Sequence, residues 1–286
     1  MTINELFVNI RKRIKLKILK YNKKLLDRLN ISEIDFEDFI KLREFNKKFN
    51  LNLKDIDIKI LNLSKQKSRN EIIEYLKKMR FNELKVLFLD FNEITDINGL
   101  EKLKYENLEE LRLDNNIISD ISILENVIFK DLKYLNLGNN KISNMNIFEK
   151  VEFKKLEKLG LNNNTISDIN ILGKVNFKEL KALFLNNNNI SNIAGLKNIN
   201  CEKLEKLNLN ANEISDINIL EKVNFKELKE LYLGENDIAD ITVLENVSFG
   251  KLEILRLNNN LITNIDILEK TNFKELKKLY LDNNNI

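Results

Sequence analysis

A period of 24 residues runs without insertion from Phe81 to the end of the chain. Of the nine residues that begin a period, eight are aromatic and the other is Cys201. Because each unit is too small to enclose a core of its own, a fixed period of this size predicts stacked structural repeats. The search for function therefore turns toward an exposed surface rather than toward a single pocket.

Each repeat is numbered here from its aromatic residue as position 1. Leucines at positions 7 and 9 alternate with variable residues at positions 6, 8 and 10, which predicts a strand with one buried face. Parallel stacking of one strand per repeat would bury these leucines in columns. Position 12 is asparagine in all nine copies, and its amide is expected to bridge its own turn and that of the next repeat. Asp or Asn at position 16 is expected to cap a short helical turn.

The pattern L-x-x-L-x-L-x-x-N-x-I occurs in every copy. Through these residues the segment from Phe81 to Ile286 resembles the leucine-rich-repeat family. The continuation N-x-I-(S/T)-(D/N)-I-x-x-L resembles its internalin-like and phosphatase-1-regulatory-subunit-like class, although the copies here are longer than the commonest repeats of that class. The resemblance implies an α/β solenoid, with a curved parallel β-sheet and short helical turns on the convex side. It also implies a protein partner bound on the concave strand face.

The chain is predicted to have three parts: a helical N-terminal cap region at 1–56, a degenerate first repeat at 57–80, and nine 24-residue leucine-rich repeats at 81–286, the last of them incomplete. Apolar residues from Ile3 to Leu29 recur at helical spacing, and another helix is expected between Asp35 and Phe49. An α-helical N-terminal cap is expected because an uncovered solenoid end exposes its leucine columns.

Two segments indicate the degenerate repeat: a strand at Ile60–Leu63 and a helix at Asn70–Met79. At the other end, the sequence stops at position 14 of the ninth repeat, which would leave an open strand edge. Either the sequence is truncated there or another copy of the chain covers the edge.

Charges alternate with twice the period. Position 5 alternates between lysine and glutamate from Lys85 to Lys277, and position 3 alternates in the opposite phase. Since neighbouring strands lie about 5 Å apart, each charge is expected to face opposite charges on both sides. Duplication of a two-repeat unit would leave this pattern, and so would a ladder of exposed ion pairs that fixes the register, each worth about 0.5 kcal/mol.

The composition gives little support for catalysis by a reactive side chain or a bound metal. The chain has no histidine, which excludes Ser-His and Cys-His nucleophile pairs and histidine metal ligands. Cys201 stands where other repeats place a core aromatic, and no glycines form a phosphate-binding loop. We therefore predict a non-enzyme with no cofactor, no metal and no small-molecule substrate. One cysteine favours a reducing compartment, and the lack of a signal-peptide pattern or an 18-residue apolar run predicts a cytoplasmic protein.

The variable strand positions are the candidates for partner binding. Aromatic residues and arginine are the types that anchor protein interfaces, whereas single exposed aromatics are normal on any surface. Several such residues on one face favour the interface. The predicted partner-binding residues of the concave face are Phe88, Phe91, Arg112, Tyr134, Phe184, Tyr232, Arg256 and Tyr280.

The leading prediction is thus a protein-protein interaction scaffold, and two alternatives stay open. The first 30 residues hold nine basic against two acidic residues, which suits a solvated cap or, less readily, an adaptor that docks on a membrane or nucleic acid. Their helical arrangement before the repeats is similar to that of ubiquitin-ligase F-box receptors, although the Leu-Pro opening and the tryptophan of that motif are absent. The other alternative is a structural module that self-assembles through the open C-terminal edge.

Overall fold

A computed structural model describes the backbone of residues 33–103 and 105–286, and the side chains of residues 37–103 and 105–286. The expected helices between Ile3 and Leu29, and with them the adaptor prediction, lie outside this range. The described part opens with helix α1 at Glu33–Phe49, and a second α-helix, α2 at Glu71–Leu76, follows the first strand.

Ten short strands form one parallel sheet in which every strand pairs with its neighbours in chain order. They are β1 Ile60–Asn62, β2 Val86–Phe88, β3 Glu110–Arg112, β4 Tyr134–Asn136, β5 Lys158–Gly160, β6 Ala182–Phe184, β7 Lys206–Asn208, β8 Glu230–Tyr232, β9 Ile254–Arg256 and β10 Lys278–Tyr280. The register sets equal repeat positions side by side, as in Leu87 opposite Leu111. Every strand therefore presents its variable residues at the same height.

The return segments on the other side are 3₁₀ helices rather than α-helices. Within the described residues they are Asn98–Lys102, Ser122–Asn126, Asn146–Glu149, Asn170–Gly173, Ala194–Asn198, Asn218–Lys222, Thr242–Glu245 and Asp266–Lys270. The Asp120 carboxylate accepts a hydrogen bond of 2.8 Å from the backbone N–H of Ser122, the first residue of its 3₁₀ helix. Position 16 thus assists the start of the turn, from one residue before the cap residue Ile121.

The core is a set of columns that run the length of the sheet. In the fifth repeat, Leu180, Leu183, Leu185 and Ile190 are all fully buried, and equivalent residues repeat this pattern through most of the chain. Cys201 is 1% exposed in the aromatic column, and burial raises the pKa of its thiol to about 12. The thiol is therefore a protonated core group, because thiolate is the reactive form of cysteine.

The position-12 asparagines join each repeat to the one before it. The Asn188 amide nitrogen donates to the Leu185 carbonyl at 2.9 Å in its own repeat and to the Leu161 carbonyl at 3.0 Å in the preceding repeat. Its oxygen accepts from the Ile166 backbone N–H at 3.0 Å. The expected bridge to the next repeat was wrong in direction, because the N–H at position 14 of the preceding repeat is the group left without a backbone acceptor.

Position 11 is the point at which each chain turn requires a left-handed backbone. Its φ lies between 51 and 57° in all nine regular repeats. Six of these residues are asparagine, which tolerates this conformation well. The exceptions are Phe91, Ala211 and Glu235.

Helix α1 packs against the start of the solenoid, as expected of a cap. The Phe45 ring lies 5.7 Å from the Phe81 ring, and the Phe49 ring lies 5.5 Å from the Tyr75 ring. Phe45 and Phe49 belong to the same continuous core as the repeat leucines. At the other end of the sheet, Leu279 of β10 is 38% exposed, whereas the equivalent Leu255 of β9 is fully buried.

The alternating charges form one ion pair at each junction between the nine regular repeats. Position 5 supplies this pair at the first two junctions, and after that the supplying column switches between position 3 and position 5 at each junction. From the second repeat onward the acid always comes from the earlier repeat. The pairs are Lys85–Glu109 at 2.5 Å, Glu109–Lys133 at 2.7 Å, Asp131–Lys155 at 2.5 Å, Glu157–Lys181 at 2.7 Å, Glu179–Lys203 at 2.6 Å, Glu205–Lys229 at 2.9 Å, Glu227–Lys251 at 2.6 Å and Glu253–Lys277 at 2.9 Å.

This arrangement is sparser than the expected ladder with opposite charges bridged on both sides. Glu109 alone among these acids bridges two lysines. Hydrogen bonds from Lys133 and Lys85 lower its pKa to about 2. No helix in the described part combines the length and apolar composition needed to cross a bilayer.

Candidate protein-binding face

The side chains at positions 6, 8 and 10 lie on the face of the sheet opposite the buried leucines of positions 7 and 9, because successive strand residues point to opposite sides. We call this surface the strand face. It is the face that the sequence predicts to be concave, and most of its side chains are half-buried. The parallel register makes a side chain on one strand a neighbour of the equivalent side chains on the next.

Three predicted residues meet near the start of the strand face, in a group we call the proximal cluster: Phe88, Arg112 and Tyr134. The Arg112 guanidinium lies 4.7 Å from the centre of the Phe88 ring and 5.5 Å from that of Tyr134. Its Nε also donates to the Glu110 carboxylate, at 2.6 Å. Stacking on two rings and pairing with a carboxylate hold this arginine in one orientation.

A longer arrangement, the distal stack, contains Phe184, Lys206, Tyr232, Arg256 and Tyr280. The Lys206 ammonium lies 5.8 Å from the Phe184 ring centre and 4.8 Å from that of Tyr232. The Arg256 guanidinium lies 5.2 Å from the Tyr232 ring centre and 4.4 Å from that of Tyr280. Cations and rings therefore alternate without a break from β6 to β10.

Glu230 anchors the middle of the distal stack. Its carboxylate accepts a bond from the Tyr232 hydroxyl at 2.6 Å and forms an ion pair with Lys206 at 2.5 Å. Burial opposes the charge of Glu230, but the bonds from Lys206 and Tyr232 keep its pKa below the ordinary value. Burial and the bond to Glu230 raise the pKa of Tyr232, so that its hydroxyl stays protonated and can donate.

The two groups are separated around β5, where the strand face carries no aromatic ring and position 6 is the exposed Lys158. Gly160 has no side chain, and the Asn136 amide oxygen lies 2.5 Å from the point where a Cβ on Gly160 would sit. Ala182 on β6 is small and buried. The structure thus brings seven of the eight predicted residues into two groups rather than one continuous surface.

Phe91 belongs to neither group. It occupies the left-handed turn position that follows β2, with φ of 57°, and it is 47% exposed. The Lys65 ammonium lies 5.4 Å from its ring centre. An exposed bulky side chain in this conformation is unusual and serves neither the turn nor the core.

Comparisons with known proteins agree with the repeat fold. The family described as leucine-rich repeats (two copies) matches residues 82–126 and 106–150. The fold is a leucine-rich-repeat solenoid. No curated protein sequence matches it.

Several solved structures share this leucine-rich-repeat fold. Internalin C2 from Listeria monocytogenes is 23% identical with a TM-score of 0.62, over 75% of this chain and 92% of its own. A leucine-rich-repeat protein from Leptospira interrogans is 21% identical with a TM-score of 0.59, over 81% of this chain and 68% of its own. The plant peptide hormone receptor RGFR1, in complex with RGF2, is 21% identical with a TM-score of 0.52, over 73% of this chain and 37% of its own.

Three residues of the strand face were missed from the sequence: Glu110, Lys206 and Glu230. All three are at position 6, whereas the candidates came mainly from position 8. Reading positions 6 and 8 together as one diagonal surface would have found Lys206, because it lies between two aromatic position-8 residues of adjacent strands.

The strand face offers aromatic rings for stacking, cationic side chains and amides. Within the described ranges, no group of three or more Asp, Glu or Cys side chains is placed to hold a metal ion. These side chains suit the recognition of another chain by contact.

Proposed function

We propose that this leucine-rich-repeat protein is a non-catalytic scaffold that binds a protein partner on its strand face. The observation that carries the proposal is the alternation of aromatic rings and cations in the proximal cluster and the distal stack. The few residues that dominate the binding energy of protein interfaces are enriched in tryptophan, tyrosine and arginine.

The repeat fold does not require these residues. Position 8 holds phenylalanine, arginine, asparagine, glycine or tyrosine, and the strand keeps the same three-residue length and register in every repeat. The backbone fold therefore does not explain why these positions hold aromatic residues and arginines. Because they already stack on one another, they would lose less side-chain freedom when a partner binds.

The fold comparisons lend general support. A plant peptide hormone receptor with this fold is seen in complex with RGF2, which shows that such a solenoid can present a binding surface.

Loss of binding after removal of two rings from the distal stack would test the proposal. We expect the double variant Phe184→Ala/Tyr232→Ala to keep the fold, since both side chains are half-buried on the surface of the sheet. Proteins captured from a cell extract would be quantified by mass spectrometry for wild type, the double variant and Ile128→Ala. Ile128 is 56% exposed and at position 24, away from the strand face, so it serves as the control.

The proposal predicts proteins that wild type and Ile128→Ala capture equally and that the double variant loses. Equal capture of every protein by all three would refute it. The expected cytoplasmic location is part of the proposal and rests on the single buried cysteine, which suits a reducing compartment.

A further inference from the structure

Two arginines at the same repeat position differ in one respect. Arg112 and Arg256 are both at position 8, and each lies between two aromatic rings. Arg112 pairs with Glu110, whereas Arg256 has no hydrogen bond or ion pair within the described residues. The Nε of Arg256 is enclosed and lacks an acceptor.

The cause of this difference is the residue at position 6 of the same repeat. Glu110 occupies that position beside Arg112, and Ile254 occupies it beside Arg256. The nearest acid on the preceding strand, Glu230, is already bound by Lys206 and Tyr232. The repeat that holds Arg256 therefore retains the aromatic clamp and lacks its carboxylate.

The surroundings of Arg256 also favour an acidic ligand. Lys278 of β10, which pairs in register with Ile254, is exposed and makes no ion pair within the described part of the chain. Asp282 lies further along the same face and contacts Asn283 instead of Arg256. Two cations in adjacent strands thus form no ion pair within the described residues, and Glu230, whose charge acts on Arg256 from the preceding strand, is already bound by Lys206 and Tyr232.

We propose that Arg256, held between Tyr232 and Tyr280, binds the carboxylate of an Asp or Glu side chain of a protein partner. A guanidinium fixed by two rings presents its planar set of donors in a geometry that matches a carboxylate. A side chain is the source because Glu110 fills the equivalent place at Arg112 with a side-chain carboxylate. The binding surface is the one proposed above, and this step adds the chemistry that the partner must present.

The test uses the guanidinium NMR signals of the full-length protein, assigned through Arg112→Lys and Arg256→Lys variants. The probe is N-acetylglutamate amide, which carries a side-chain carboxylate and no charged terminus. N-acetylglutamine amide is the uncharged control. The expected result is a saturable shift of the Arg256 guanidinium N–H signals with the glutamate probe, no comparable shift with the glutamine control, and Arg112 signals that stay in place.

Two exchanges at position 6 provide matched variants. Ile254→Glu supplies the missing internal carboxylate, so the probe-induced shift of Arg256 is expected to disappear. Glu110→Ile removes the existing one, so Arg112 is expected to gain a shift. An unchanged response in both variants would overturn the proposal, as would equal shifts from the glutamine control.

A third probe, N-acetylalanine, carries only a terminal carboxylate. Tighter binding of N-acetylalanine than of the glutamate probe would overturn the side-chain assignment. The probe experiment and the capture experiment can fail separately. Loss of capture in Phe184→Ala/Tyr232→Ala with no probe response at Arg256 would leave the binding face standing and remove the carboxylate site.

Discussion

Replacement of Asn188 by alanine tests the role of the position-12 asparagines most directly. The substitution removes two well-formed bonds from the amide nitrogen, to the Leu161 and Leu185 carbonyls, and one bond to its oxygen, from the Ile166 N–H. The consequences differ for these three groups. The Leu161 carbonyl keeps a donor in Asn164, at 3.1 Å, and the Leu185 carbonyl keeps one in Asn212, at 3.0 Å.

The Ile166 N–H is therefore the group that would be left without a partner, in a residue that is fully buried. An orphaned buried donor costs about 1–3 kcal/mol, and loss of two bonds to carbonyls that keep another donor costs about 0.5–1 kcal/mol each. The expected fall in the free energy of unfolding is roughly 2–5 kcal/mol. The control is Asn189→Ala, because Asn189 is exposed and makes a single side-chain bond, of 3.1 Å, to Glu213. A change of about 0.5 kcal/mol or less is expected there.

Urea unfolding followed by circular dichroism would give the two free energies. Hydrogen exchange would locate the effect, since the Ile166 amide should exchange faster in Asn188→Ala while amides several repeats away are little affected. Stabilities within about 0.5 kcal/mol of each other would refute the reasoning, and so would an Ile166 amide protected as in wild type.

Three further outcomes are expected. Lys181→Glu replaces the 2.7 Å pair with Glu157 by a like-charge contact and should lower stability by about 1 kcal/mol or less, with a larger loss at low salt than at high salt; no salt dependence would contradict this. Hydrogen bonds from Lys133 and Lys85 lower the pKa of Glu109 to about 2, so its contribution to stability is present above the ordinary carboxyl pKa and is lost as the pH falls toward 2. Glu109→Gln should therefore reduce the fall in the free energy of unfolding as the pH is lowered. An unchanged dependence on pH at the acid end would count against the pairing. A Cβ on Gly195 would lie 2.3 Å from the Ile169 carbonyl oxygen, so Gly195→Ala should cost about 1–3 kcal/mol in a thermal melt, whereas Gly250→Ala, with nothing within 4 Å, should change stability by about 0.5 kcal/mol or less.

Much of the fold could be predicted from the sequence because each repeat position occurs nine times in the same environment. Alternating leucines predicted the strands, and the invariant asparagine predicted a polar bridge. The direction of that bridge could not be read from the sequence. It depends on which backbone N–H the turn leaves without an acceptor, and the sequence does not show that the group at Ile166 is the one.

The candidate site was predicted in composition and only partly in arrangement. The sequence identified Arg112 and Arg256 as equivalent, because both are arginine at position 8. Their environments differ through position 6, where Glu110 pairs with one and Ile254 adjoins the other. Likewise, the separation into two groups depends on Gly160, a residue that contributes no side chain and therefore gave no signal as a candidate.

The switching of ion pairs between two columns sets a rule for how the length of this protein can change. Removal of one 24-residue unit, for example the fifth repeat, would bring Glu157 next to Glu205 and Lys155 next to Lys203 at the new junction. Removal of two units would place Glu157 next to Lys229 and Lys155 next to Glu227, which restores opposite charges. The leucine columns accept any whole number of repeats, whereas the surface charges favour even steps. Addition or removal of repeats in pairs thus keeps opposite charges next to each other, in nature and in engineered variants alike.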